Sequence, residues 1–154
     1  MRPVAAGDLD RLYRIATDPA VAPMLFLFHP GMARERFAAH FPPGAVQPPF
    51  RLSVLCGGDI IGSIGMGGGS LPPVYYFLAP ICKGQGLGGE MLAGFLAAVD
   101  RHIRPPVLSA EVFSDNPASL AVLRRNGFAV TGARMLISAA RPSPAAGLAL
   151  ARRA

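Results

Sequence analysis

The sequence predicts an α+β fold, a single three-layer domain over residues 1–154 with a mixed central sheet of about six to seven strands and helices on both faces. Three observations carry that expectation. The 154-residue chain is 51% hydrophobic and only 16% charged, the reverse of a disordered composition, and its length suits one buried core. Strand-like runs between Arg51 and Ala79 give way to apolar spacings of three and four after Leu87. The 18 glycines and 16 prolines fall between those segments, without any repeat, where turns are needed.

In chain order, Met1 to Ala5 reads as a short strand. Leu9, Leu12, Ile15 and Ala16 then share one face of a helix that ends near Asp18-Pro19. A weaker helix spans about Met32 to His40, before the Phe41-Pro42-Pro43-Gly44 break. Arg51 to Cys56 and Ile60 to Met66, joined by Gly57-Gly58-Asp59, read as a hairpin. Val74 to Ala79 is a third apolar strand. The longest helix carries Leu87, Met91, Leu92, Phe95, Leu96, Val99 and Ile103 on one stripe and stops at Pro105-Pro106. Val107 to Phe113 alternates as a strand. Asn116-Pro117 then opens a helix as an asparagine cap with proline at the first position, and Asn126-Gly127-Phe128 closes it with Phe128 folded back on Leu123. Ala129 to Ala140 and Ala146 to Arg152 supply two last strands around a Pro142-Pro144 turn.

Composition narrows the function. The net charge of +6 comes from 14 arginines and one lysine scattered along the chain, with doublets only at Arg124-Arg125 and Arg152-Arg153. That is not the concentrated, aromatic-interleaved face of a nucleic-acid binder, and a preference for anionic ligands fits it equally well. No apolar run approaches the roughly 20 residues of a membrane span, so a cytoplasmic protein with no membrane or nucleic-acid partner is expected, as a monomer or homodimer. Cys56 and Cys82 form no CxxC pair, which points to free thiols and no metal site.

The chemistry concentrates in Ala79-Pro-Ile-Cys-Lys-Gly-Gln-Gly-Leu-Gly-Gly-Glu90, between a strand and the strongest helix. Glycines at 84, 86, 88 and 89 let consecutive N–H groups converge on an anion at the positive end of the helix dipole, so the natural guest carries phosphate. Gly84-x-Gly86-x-x-Gly89, with Glu111 downstream, formally matches a dinucleotide fingerprint. Such a fold would start with this unit, whereas half of this chain precedes it. A Walker loop fails because no Gly-Lys-Ser/Thr follows.

Lys83-Gly84-Gln85-Gly86-Leu87-Gly88 resembles the Arg/Gln-x-x-Gly-x-Gly/Ala pyrophosphate loop of the GNAT superfamily of acetyl-CoA-dependent N-acetyltransferases, with lysine in the arginine or glutamine place. Asn116-Pro117-Ala118-Ser119 and the helix ending in Gly127-Phe128 are similar to a second segment of that superfamily. The N-terminal Arg2-Pro3-Val4 strand followed by Asp8 looks like the branch that acetylates ribosomal-protein N-termini. The resemblance runs from Met1 to about Gly132 and implies direct attack of a primary amine, on a protein N-terminus or a small molecule, on the thioester of acetyl-CoA.

It also assigns roles. Backbone amides from Lys83, Gly84, Gln85, Gly86, Leu87 and Gly88 would hold the pyrophosphate, with Lys83 adding charge. The backbone of Phe77, Leu78 and Ala79 would bond the pantetheine arm and polarise the thioester oxygen. Asn116 would reach the pantetheine or the adenine-side arm from the next helix. Where many members place a leaving-group tyrosine, this chain has Leu123, so Ser119, one turn earlier, becomes the implied acid and cofactor contact. For the base, Glu111 is best located, with His29, Asp115 or a water chain as alternatives, and His40 and His102 carry no signal. Tyr75 and Tyr76 alternate faces, so one belongs to the core and the other to the cleft. The missing tyrosine leaves a second reading open, a non-catalytic acyl-CoA-binding module.

Overall fold

The computed structural model describes residues 1–153. Strand β1 (Arg2–Pro3) and helix α1 (Leu9–Ala16) are followed by a short α2 (Arg34–Ala38). The hairpin β2 (Phe50–Cys56) and β3 (Asp59–Met66) leads into β4 (Val74–Leu78), α3 (Leu87–His102), β5 (Val107–Phe113), α4 (Pro117–Arg125), β6 (Ala129–Leu136) and β7 (Ala145–Arg153). The seven strands are divided between two antiparallel sheets, β1-β2-β3-β4 and β5-β7-β6, in place of one continuous mixed sheet.

The two sheets meet at one point. Pro73 bridges Ser109 in parallel, and the Ser109 N–H donates to the Pro72 carbonyl at 3.0 Å. Beyond that bridge β4 and β5 run side by side without a hydrogen-bonded ladder, which opens a wedge towards their C-terminal ends.

Each face of the sheets carries its own core, because alternate strand residues point to opposite sides. Ile64, Met66, Leu108, Ala110 and Val112 pack with Met91, Leu92, Phe95, Leu96 and Val99 of α3 and Leu123 of α4. On the other face Phe77 and Ala79 pack with Leu12, Ile15 and Ala16 of α1 and with Phe28, Phe37 and Phe41. The α3 and α4 stripes are those the spacing predicts. Helix α2 is shorter than the Met32–His40 expectation: within it only Phe37 is buried, Arg34, Glu35 and Arg36 are exposed, and Met32 and Phe41 supply the flanking packing from outside the helix. Helix α4 starts with the Asn116 side chain accepting the Ser119 N–H at 3.1 Å. It ends with Gly127 donating to the Arg124 carbonyl and Phe128 to the Leu123 carbonyl, both at 3.1 Å, so Phe128 closes over Leu123 as expected.

The N-terminus is fastened by one buried carboxylate. Asp8, 3% exposed, receives two hydrogen bonds from the Arg2 guanidinium (2.6 and 2.7 Å), one from the Ala5 N–H (2.9 Å) and one from the Ser53 hydroxyl on β2 (2.7 Å).

Candidate active site at the β4–β5 wedge

The wedge ends in an anion cradle. After β4 the chain turns through Pro80–Cys82 and reaches α3 with Gly84 and Gly86 at φ +79° and +77°, a left-handed conformation that only glycine adopts without strain. Gly86 caps α3 without a side-chain partner. The N–H groups of Gly84, Gly86, Leu87 and Gly88 have no acceptor among the described residues. Lys83 and Gln85 differ from expectation: their N–H groups donate to Pro80 (3.1 Å) and Cys82 (3.4 Å). The Gln85 side chain also folds back, donating to the Ile81 carbonyl at 2.7 Å. Four N–H groups, not six, remain for an anion, beside the exposed Lys83 side chain.

Strand parity corrects a second expectation. In an antiparallel ladder alternate residues turn their polar groups to the neighbouring strand. Ala79 donates to Ile61 at 2.7 Å, and its carbonyl accepts from Cys82 at 2.9 Å; the Pro73 carbonyl accepts from Gly67 at 2.8 Å. Residues 73, 75, 77 and 79 therefore face β3, and Phe77 and Ala79 have no backbone group turned to the wedge, the Ala79 carbonyl being taken by Cys82. Tyr76 and Leu78 turn theirs to the wedge. Of the three residues expected to meet the pantetheine arm, Leu78 alone is so placed, and Tyr76 joins it.

Above this edge, Ser119 of α4 and Tyr76 of β4 meet with their hydroxyl oxygens 2.9 Å apart. Burial pushes the Tyr76 phenol pKa up, with the Ser119 hydrogen bond opposing, so the phenol stays protonated at neutral pH. Tyr76 packs at the edge of the α3–α4 core. Tyr75 points to the opposite face and donates to the Met66 carbonyl at 2.9 Å. Asn116 spends its oxygen on the helix cap, and its Nδ2 has no partner among the described residues.

The parallel bridge fixes where Glu111 points. Pro73 and Ser109 share a side, so Ser109, Glu111 and Phe113 face the same way as Tyr75 and Phe77, with Glu111 two residues past the bridge as Tyr75 is. Glu111 is exposed and lies 3.3 Å from the Arg134 Nε. The alternatives are occupied otherwise. Asp115 holds a two-pronged pair with Arg141 (2.8 and 2.9 Å) that lowers its pKa, and the His29 Nδ1 lies 2.9 Å from the Pro30 carbonyl. Arg141 was not legible in the sequence. It also stacks 4.2 Å from the Phe113 ring and donates to the Pro23 carbonyl at 2.7 Å, tying the 22–28 loop to the second sheet.

A wedge between splayed parallel strands, ending in free N–H groups at a helix start, defines a site for a long ligand with a phosphate in its middle. The family profile for the acetyltransferase (GNAT) domain matches residues 1–129. The chain belongs to that family: it is an acetyltransferase with acetyl-CoA as cosubstrate. No curated protein matches the chain significantly. Among solved structures it is similar to Mycobacterium smegmatis RimJ in complex with CoA-disulfide (TM-score 0.81, 21% identity, 99% of this chain and 80% of that one). It is similar also to ribosomal-protein-alanine N-acetyltransferase from Brucella melitensis (0.77, 20%, 99% and 98%). A third is the spermidine N-acetyltransferase from Vibrio cholerae in complex with CoA and spermine (0.76, 16%, 97% and 93%). At these identities the likeness is one of fold. Among the described residues no helix is long and apolar enough to cross a membrane.

Proposed function

We propose that the protein transfers the acetyl group of acetyl-CoA to a primary amine by direct attack within a ternary complex, in the cytoplasm, where its two free thiols stay reduced. The observation that carries this is the set of four unpartnered N–H groups at the end of the open β4–β5 edge. Gly84, Gly86, Leu87 and Gly88 take the pyrophosphate, aided by Lys83 and with Gln85 bracing the turn. The wedge-facing backbone of Tyr76 and Leu78, flanked by Phe77 and Ala79, binds the pantetheine arm and thioester oxygen, and the Asn116 Nδ2 adds a donor. Glu111 accepts a proton from the incoming ammonium. The amine nitrogen then forms the amide bond as the carbon–sulfur bond breaks and sheds its second proton to solvent, while Ser119 gives its proton to the departing sulfur and recovers one from solvent through Tyr76.

The Tyr76 hydroxyl reaches Ser119 from β4 and supplies what Leu123 cannot, which removes the main support for a non-catalytic acyl-CoA-binding module. Release of free CoA from acetyl-CoA, followed across a panel of amines, tests the proposal. Tight acetyl-CoA binding with no amine-dependent release would support the binding module.

A further inference from the structure

Arg51 is the one charged side chain of β2, and it lies in the core at 8% exposure. Its guanidinium carbon is 4.0 Å from the centre of the Tyr75 ring, 5.0 Å from Phe41 and 5.5 Å from Phe28. Among the described residues it makes no ion pair and no side-chain hydrogen bond. Burial lowers its pKa to about 10 and no carboxylate opposes that, so it stays charged at neutral pH. No sealed side-chain nitrogen or oxygen in the described residues lacks a partner, so the free guanidinium nitrogens keep a path to solvent. The neighbouring His40 does not help: burial lowers its pKa, and Arg51 and Arg36 lower it further, which keeps the imidazole neutral.

Aromatic faces offset part of the desolvation of a cation, but they leave its five donors unused. A buried charge normally has a partner of opposite sign, and here the protein supplies none. The sheet explains the position. Arg51 pairs with Gly65, and Gly65 with Tyr75. A Cβ at Gly65 would run into the Phe50 carbonyl and the Tyr75 ring, so the glycine is what lets Arg51 lie across β3 onto Tyr75. The same row continues over the wedge to Glu111. One face of the wedge thus presents an unpaired cation over β4 and, across the gap, a carboxylate on β5 whose one partner is the exposed Arg134.

We propose that Arg51 is an anion subsite for the acceptor, which is an amine bearing a carboxylate or phosphonate a few bonds from the nitrogen, its anion on the guanidinium and its ammonium towards Glu111. The amine half rests on the transferase reading; the anion half does not. The same charge disfavours polyamines, whose second cation would meet Arg51.

The test compares ω-amino acids of two to five methylenes with their own amides and with spermidine, by free CoA release. The acid should exceed its amide at least tenfold in kcat/KM. Arg51→Gln should bring that ratio to near one, and Arg51→Lys should keep part of it, with KM for acetyl-CoA unchanged in both. A wild-type enzyme that prefers amides or spermidine overturns the proposal, and so does an Arg51→Gln variant that keeps the preference. If neither variant folds, the wild-type ratio decides alone. If acetyl-CoA binds but no amine is acetylated, the transferase reading fails, and the subsite is judged by thermal shift with N-acetyl ω-amino acids. A rise in wild-type Tm larger than with the corresponding amides upholds it, and equal shifts sink it.

Discussion

The hydroxyl oxygens of Tyr76 and Ser119 lie 2.9 Å apart, joining the wedge-facing edge of β4 to the first turn of α4. Either can donate, so in the proposed reaction Ser119 would give a proton and Tyr76 would replace it. A thiol with an ordinary pKa of about 8.5 needs only modest help to leave. Ser119→Ala should therefore lower kcat roughly ten- to a hundredfold, with KM for acetyl-CoA little changed. Tyr76→Phe should cost less, and the double variant no more than Ser119→Ala, because the two act in series. Steady-state kinetics on the three variants decide it; fully additive losses would mean independent roles.

Substitution at Gly86 probes the cradle. A side chain there meets no atom within 4 Å, so space is available, but φ of +77° is strained for any residue with a Cβ. A valine should rotate the loop and scatter the N–H groups while leaving both cores untouched. Gly86→Val should show unchanged circular dichroism and no detectable acetyl-CoA binding by calorimetry. Binding as tight as the parent's would place the pyrophosphate elsewhere.

The α3 and α4 helices, the hairpin and the Gly127–Phe128 stop were legible because each is written locally, in apolar spacing or in cap residues. The split of the sheet was not. It depends on β4 and β5 forming no ladder beyond the bridge of Pro73 to Ser109, and nothing in either strand's own pattern records what its neighbour does. The site divides the same way. The glycine loop could be read from residue types, but which N–H groups stay free depends on where Pro80 and Cys82 turn their carbonyls. Tyr75 and Tyr76 could be assigned to opposite faces but not to partners. Arg51 sits inside an ordinary-looking strand, and its burial follows from Gly65 on the next one.

Asp8 predicts an acid-sensitive fold. Chiefly through the Arg2 hydrogen bond, its pKa is lowered from 3.8 to about 2. A carboxylate depressed on folding stabilises the native state above its unfolded pKa, and that contribution fades as pH falls from about 4 towards 2. A shift of this size corresponds to about 2 kcal/mol at neutral pH. Asp8→Asn should lower Tm at pH 7 by several degrees and flatten the Tm-against-pH curve below pH 4. An unaltered acid limb would show that the Arg2–Asp8 clasp contributes no net stability.

Cys82 tests the alternative of covalent catalysis, since it stands two residues before the first loop glycine. Its thiol is buried at 7% exposure, and burial, with Cys56 adding, pushes its pKa up; the weaker pull of Arg11 does not offset that. A nucleophilic cysteine needs the opposite environment, with a lowered pKa and a base in hydrogen-bonding reach. Its backbone is meanwhile occupied in shaping the turn, donating to Ala79 and accepting from Gln85. Cys82→Ala should therefore keep most of the turnover and lose about 1 kcal/mol of stability from the small void left against Phe77 and its neighbours. Rapid-quench mass spectrometry during turnover gives the decisive measurement. An acetyl group that appears and decays on Cys82 at the turnover rate would replace direct attack with a two-step mechanism.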